Sequence, residues 1–264
     1  MEGVLRMCGF AGFSDLQEEF SGQEQHWLDL ARRMARRLAH RGPDSQGAHL
    51  SRHCALAHAR LAVMDPEHGA QPMSLPWRGQ EVTIAYNGEL YNAPELRAQL
   101  EERGFSFQTR CDTEVVLAAY LAFGPDCVEQ FNGIFAFAVD DPVNRRVFLC
   151  RDRFGVKPLF YTLQEHRLAF ASEIKGLLEF PGVSPVVGRE GLCELFGLGP
   201  ARTPGCGVFQ GIRELRPGHM AVFDRLGFRE IPYFDLEAQP HEESYPETVE
   251  HVRALLLDTV ERQL

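Results

Sequence analysis

The string Met7-Cys8-Gly9-Phe10 constrains this chain more than any other. Loss of the methionine leaves Cys8 as the N-terminal residue, with a thiol and a free α-amine on one Cα. The amine titrates near ~7.7–8.0 and a free thiol near ~8.5, so the first can act as base for the second without a separate histidine. The apolar, glycine-punctuated segment 8–13 reads as a buried first strand, so the reactive terminus is expected at the head of that strand. Residues 1–6 precede Met7 and read as a leader or a mis-assigned start. The second is favoured, because the leader has no long apolar stretch and cleavage after it leaves Met7 in place. While Met7 stays attached, Cys8 is expected to be inactive.

At 264 residues the chain is long enough for one large domain or one domain and part of another. A formal net charge of −10 and a pI near 5.5 argue against nucleic acid as the main partner. No apolar run approaches the ~18 residues of a membrane helix, and no signal peptide is visible. The seven cysteines show no CxxC spacing. That pattern implies reduced thiols in the cytoplasm, with all but Cys8 in core or strand positions, and no zinc site.

Periodicity places a helix over 24–39, with Trp27, Leu30, Ala31, Met34 and Leu38 on one face and a solvated basic face opposite. Strands are expected at 55–59 and 82–86, helices at 93–103 and 113–123, then strands at 134–140, 147–151, 159–163 and 168–171. Strands, then helices, then strands, without βαβ alternation, imply an α+β fold of two sheets covered by helices. Beyond a Gly/Pro-rich loop at 200–207, strands are expected at 220–223 and 229–234, a polar linker at 238–246 and an amphipathic helix over 247–264. Val249, Val252, Leu256 and Val260 form a stripe on that helix.

Four further motifs line up behind Cys8: Arg41-Gly42-Pro43-Asp44, Leu56-Ala57-His58-Ala59-Arg60-Leu61, Asn87-Gly88-Glu89-Leu90-Tyr91-Asn92 and Cys111-Asp112-Thr113-Glu114. With Phe131-Asn132-Gly133-Ile134-Phe135-Ala136-Phe137, the run Arg151–Leu159, Ala171–Lys175 and Leu215–His219, they closely resemble the class II glutamine amidotransferases. More narrowly, they look like the glutaminase domain of glutamine-hydrolysing asparagine synthetases. Proline at 43 departs from the tyrosine usual in the sugar-phosphate branch, and His58–Asp65 departs from the phosphoribosyl branch.

The resemblance implies the four-layer αββα sandwich of N-terminal-nucleophile hydrolases. It implies that the Cys8 thiolate attacks the amide carbon of glutamine while its α-amine moves the proton to the leaving ammonia. The Asn87 side-chain amide and the Gly88 N–H would hold the oxyanion. Arg60 would bind the substrate α-carboxylate, Asp112 the α-ammonium with help from Glu89, and backbone groups at Leu61 and Val63 would complete the pocket. Taken alone, Asn87-Gly88 is a hairpin turn, Arg60 a surface ion pair and Asp112 a helix cap. His58 is expected to be a structural strand residue. Arg151, Asp152 and Lys157 are expected to fix a hairpin through ion pairs.

The implied layout is a leader at 1–6, the amidotransferase domain at 7–222, and at 223–264 a linker and helix leading towards an absent synthetase domain. No metal or cofactor is expected in this chain; ATP and magnesium belong to the absent half. The implied partners are glutamine and a synthetase domain or subunit, with a possible homodimer and no nucleic acid or membrane. Alternatives are a silent glutamine-binding regulatory module with Cys8 held internal, and an unstable fragment.

Overall fold

Strand residues buried on both sides need two packed layers, and the chain supplies them by alternating residue size. A computed structural model describes residues 7–63, 65–199 and 201–263. The leader expected at 1–6 lies outside the described residues. The elements begin with β1 (Gly9–Asp15), α1 (Glu24–Arg36), β2 (Ser45–Leu50), β3 (Cys54–Arg60), β4 (Met73–Trp77) and β5 (Gln80–Leu90). There follow α2 (Ala93–Glu102), α3 (Asp112–Phe123), a 3-10 turn at Gly124–Gln130, β6 (Gly133–Asp141), β7 (Arg146–Arg151), β8 (Phe160–Gln164) and β9 (Arg167–Ala171). The chain continues through α4 (Ile174–Leu177), α5 (Arg189–Gly197), β10 (Ile212–Glu214), β11 (His219–Asp224), β12 (Gly227–Pro232) and α6 (Tyr245–Glu261).

The strands form two antiparallel six-stranded sheets, ordered β10-β8-β9-β1-β3-β2 and β12-β11-β7-β6-β5-β4. Three apolar layers hold them. Ala11, Phe13, Ala55, Ala57 and Ala59 pack under Leu30, Met34 and Leu38 of the α1 region on the outside of the first sheet. Val82, Ile84, Tyr86, Phe135, Phe137 and Phe148 pack under α2 and α3 on the outside of the second. Between the sheets lie Phe10, Leu56, Ala85, Ala136, Ala138, Leu149 and Phe170. On β5 and β6 the small residues thus face the other sheet and the large ones the helices, which lets the sheets approach closely. The order helix, sheet, sheet, helix is the expected αββα sandwich. Each fully buried aromatic or aliphatic side chain contributes about 1.5–3 kcal/mol.

Several edge elements were not expected from the sequence: β2, β4, α5 and β10. All are short or half-exposed, with weak periodicity. Cys193 is exposed and Cys206 half-buried, so the expectation that all cysteines but Cys8 lie in core or strand positions fails for these two. The first compact unit extends to Phe234, because β12 pairs with β11 along its length; the boundary read at 222 falls inside β11. The second unit, Asp235–Leu264, carries α6. That helix starts at Tyr245, two residues before the expected position, behind a capping box in which the Ser244 N–H donates to the Glu247 carboxylate at 2.9 Å. Its stripe of Val249, Val252, Leu256 and Val260 is exposed.

Candidate active site

The register of three strands brings the candidate residues to one end of the space between the sheets. In β1, Phe10 points into the inter-sheet layer, and side chains two apart share a face, so Cys8 points there too. Phe10 pairs with His58 and Gly9 with Ala59, which sets Cys8 beside Arg60 and Leu61. The Leu61 N–H donates to the Cys8 sulfur at 3.3 Å, and the thiol donates back to the Leu61 carbonyl at 3.4 Å. From the other sheet, Asn87 shares the face of Ala85, which lies in the inter-sheet layer, whereas Tyr86 points to the helices. The two sheets are tied at this end by His58, whose Nε2–H donates to the Tyr86 carbonyl at 3.0 Å.

Burial pushes the Cys8 thiol up, and the Leu61 N–H with the charges of Arg60, Lys157 and Arg41 pulls against it. The Cys8 backbone is clamped: the Cys8 carbonyl accepts from Arg41 Nε at 2.9 Å, and Arg41 is itself held by Glu173 at 2.9 Å. His58 is fully buried and burial holds its pKa down at about 4, so it is a neutral strand residue, as expected.

The Asn87 side chain is 2 % exposed, and its Nδ2 has no hydrogen-bond partner among the described residues. An unpaired buried amide is costly, about 1–3 kcal/mol, and marks a position where a ligand acceptor belongs. Gly88 supplies a second donor. Phe135, opposite Gly88, directs both its N–H and its C=O to Asp152, away from β5. This makes Gly88–Phe135 a non-hydrogen-bonded pair, so the Gly88 N–H points off the other edge of β5. On that edge the Tyr86 N–H is taken by Gln71 Oε1 at 2.7 Å and the Leu90 N–H by Asp112 Oδ2 at 3.0 Å. Gly88 lies between them, beyond the last β4 pairing at Met73–Ile84. Only glycine fits there, since an added Cβ would sit 2.5 Å from the Ile134 carbonyl and 2.7 Å from Phe135 Cβ.

Asp112 is 5 % exposed and accepts from the Tyr86 hydroxyl at 2.9 Å. Burial pushes its carboxyl up, against those hydrogen bonds. It has no cationic partner among the described residues. It is not a helix cap, for Cys111 occupies the N-cap of α3. Arg60 is likewise not a surface ion pair. It is 8 % exposed, and its guanidinium donates to the carbonyls of Pro66 at 2.8 Å and Asp65 at 2.7 Å, shaping the loop after β3. Asp65 in turn accepts from the Arg110 N–H at 3.0 Å, drawing that loop to the start of α3. Leu61 is half-buried; Val63 and Glu89 are exposed.

The Arg151–Lys157 segment is not the expected hairpin but the turn that carries the chain from β7 in the second sheet to β8 in the first, and ion pairs are the lesser part of what fixes it. The Asp152 carboxylate accepts from four backbone N–H groups, those of Phe135, Phe154, Val156 and Lys157, at 2.9–3.3 Å. Arg151 donates to the carbonyls of Lys157, Gly155 and Leu215 at 2.6–2.8 Å and pairs with Glu214 at 3.1 Å. Lys157 makes no ion pair among the described residues. Two surface recesses, one under Phe13, Trp27 and Arg167 and one beside Trp77, Tyr120 and Arg146, share no residue with the site. The clamp on Cys8 by Arg41 was not foreseen, although its motif, Arg41-Gly42-Pro43-Asp44, stood out in the sequence.

Residues 7–234 match the model of the glutamine amidotransferase domain family. The chain is 45 % identical over 258 residues to asparagine synthetase [glutamine-hydrolyzing] 3 of Bacillus subtilis, covering 98 % of this chain and 41 % of that protein. It is 37 % identical over 195 residues to asparagine synthetase B [glutamine-hydrolyzing] of Escherichia coli, covering 70 % of this chain and 34 % of that one. The chain thus spans about two fifths or less of these relatives. Among solved structures, the glutamine phosphoribosylpyrophosphate amidotransferase of B. subtilis matches with a TM-score of 0.61 at 19 % identity, over 86 % of this chain and 49 % of that one. That likeness speaks for the fold.

Proposed function

The chain belongs to the glutamine amidotransferase family, in its class II, N-terminal-nucleophile branch, and from that premise we propose that it hydrolyses glutamine to glutamate and ammonia at Cys8. The observation that carries this reading is the buried Asn87 amide with an unpartnered Nδ2, on the inter-sheet face that Cys8 also occupies. In the proposed reaction the Cys8 thiolate forms a C–S bond to the side-chain amide carbon. The charge on the carbonyl oxygen is met by Asn87 Nδ2 and the Gly88 N–H, donors of a kind worth ~10²–10³ in rate each. The C–N bond then breaks, and the α-amine of Cys8 passes the thiol proton to the departing ammonia. Water cleaves the resulting thioester to give glutamate.

Asp112 supports the reading as the ammonium site, because a buried carboxylate without a counter-charge gains most from a substrate cation. Arg60, buried beside Cys8, is assigned the α-carboxylate, and Glu89, Leu61 and Val63 complete the rim. The α-amine is available only when Met7 is absent; in the chain as it stands, that nitrogen is an amide.

The named relatives are glutamine-hydrolysing asparagine synthetases. The ammonia is accordingly proposed to pass to an activated aspartate in a synthetase domain or subunit, which holds ATP and magnesium. A cytoplasmic setting and a homodimer go with that proposal; among the described residues no helix is long and apolar enough to cross a membrane. The test is glutamate release from glutamine by this chain with a verified Cys8 terminus, beside C8A. Release by the first and none by the second supports the reading. Equal release by both overturns it, and asparagine formation by this chain alone with ATP and aspartate would refute the division of labour.

A further inference from the structure

The turn that links β7 to β8 in the other sheet is more firmly built than a connection needs. Asp152 and Arg151 pin the backbone on both sides of Lys157: its N–H donates to Asp152 Oδ2 at 2.9 Å, and its carbonyl accepts from Arg151 Nε at 2.8 Å. What this rigid turn delivers is an ammonium. The Lys157 side chain is 6 % exposed, and its Nζ makes one hydrogen bond among the described residues, to the thioether sulfur of Met7 at 3.3 Å. A thioether is a weak acceptor, and Met7 is the residue that must leave for Cys8 to gain an amine. We propose that Lys157 is a positioning residue for the nucleophile, its buried positive charge setting the protonation of the Cys8 thiol and α-amine once Met7 has gone. This inference rests on the glutaminase reading above and deepens it.

The charges around Lys157 come from four parts of the chain. Glu89 on β5, Asp152 in the turn after β7 and the Cys8 thiolate ahead of β1 favour the ammonium. Arg41 beyond α1 and burial oppose it, and burial, the larger influence, holds its pKa below the ordinary lysine range. Around the thiol, Arg60 on β3, Lys157 and Arg41 all favour the thiolate. A cation beside the pair repels a proton from the amine and from the sulfur alike. Both macroscopic ionisations of the coupled pair therefore move down in pH. Removing the Lys157 charge moves them up.

The experiment uses protein with a verified Cys8 terminus and compares wild type, K157M, K157Q and K157R. Two curves are taken: kcat/KM for glutamine against pH, and the rate of Cys8 alkylation by iodoacetamide against pH. The acid limb of both is expected to move up by about one pH unit in K157M and K157Q, and to return most of the way in K157R. Loss of rate at pH 6.5 should then be several times larger than loss at pH 9. A merely structural lysine would lower the rate equally at every pH, and that result, or a K157R curve displaced as far as K157M, overturns the proposal. The alkylation curve does not depend on glutamine. If wild type alkylates with a lysine-dependent limb yet releases no glutamate, it is the glutaminase reading that fails.

Discussion

Two charged and buried regions stand a short way apart on the same sheets, and they differ in how their polar groups are spent. In the Arg151–Lys157 turn the Asp152 carboxylate accepts four backbone N–H bonds and Arg151 serves three carbonyls and Glu214. At the Cys8 end, the Asn87 amide nitrogen is buried with nothing to bond, and Asp112 is buried without a cation among the described residues. Both regions look equally catalytic as strings of letters. Their hydrogen bonds separate them: Arg151 and Asp152 are satisfied within the protein, and the second region leaves donors and a carboxylate to spare among the described residues. Lys157 is where the two regions meet, through Met7 and the charge it sends to Cys8.

The largest effect is expected at the nucleophile. C8A is expected to lower glutamine hydrolysis by ~10⁴-fold or more while leaving the thermal midpoint nearly unchanged, read by glutamate release and calorimetry on one sample. Next is N87A. Its Nδ2 has no bond to lose among the described residues, so kcat should fall ~10²–10³-fold with little loss of stability. A large drop in melting temperature with unchanged kcat would assign Asn87 to the structure instead. D152A is the mirror experiment. Stripping an acceptor from four buried or half-buried N–H groups should destabilise the protein by about 3 kcal/mol or more, seen as a lowered denaturant midpoint.

A smaller effect tests whether an unpaired buried group is enough to mark function. Asp140, on β6, is 4 % exposed with Oδ2 unpartnered, and burial pushes its pKa up to about 7, Asp141 adding to the shift and a Ser51 hydrogen bond opposing it. A folded-state pKa above the unfolded value means that folding favours the protonated form. The stability this contributes is whole below the unfolded pKa of 3.8 and is lost as pH rises through about 7. Wild type should therefore lose about 3 kcal/mol between pH 5 and pH 8 that D140N keeps, in denaturant titrations at the two pH values. Glutamine hydrolysis by D140N should match wild type, because Asp140 has no place in the proposed reaction.

Much of this was legible in the sequence, for reasons that differ by element. The buried strands β1, β5, β6 and β7 announce themselves as apolar runs rich in aromatic, β-branched or small residues, α1 through its periodicity, and α3 as a long apolar run behind Asp112-Thr113-Glu114. The edges β2 and β4 and the half-exposed α5 carry little such signal, because solvent rather than packing decides most of their residues. At the site, Cys8, Asn87, Gly88, Arg60 and Asp112 were all named from motifs, and the strands gather Cys8, Arg60 and Asn87 at one end of the inter-sheet layer. Arg41 and Lys157 received no role near Cys8. Their reach to Cys8 and Met7 crosses between elements far apart in the chain, and spacing alone does not reveal it.

The proposed catalysis at Cys8 turns on the amine that appears when Met7 is removed. The measurement is glutamate released per molecule by two preparations of the same protein, one shown by intact mass to begin at Cys8 and one shown to retain Met7. Turnover by the first and none by the second is the expected result. Equal turnover by both would contradict the central claim, for Cys8 would then be working without a free α-amine.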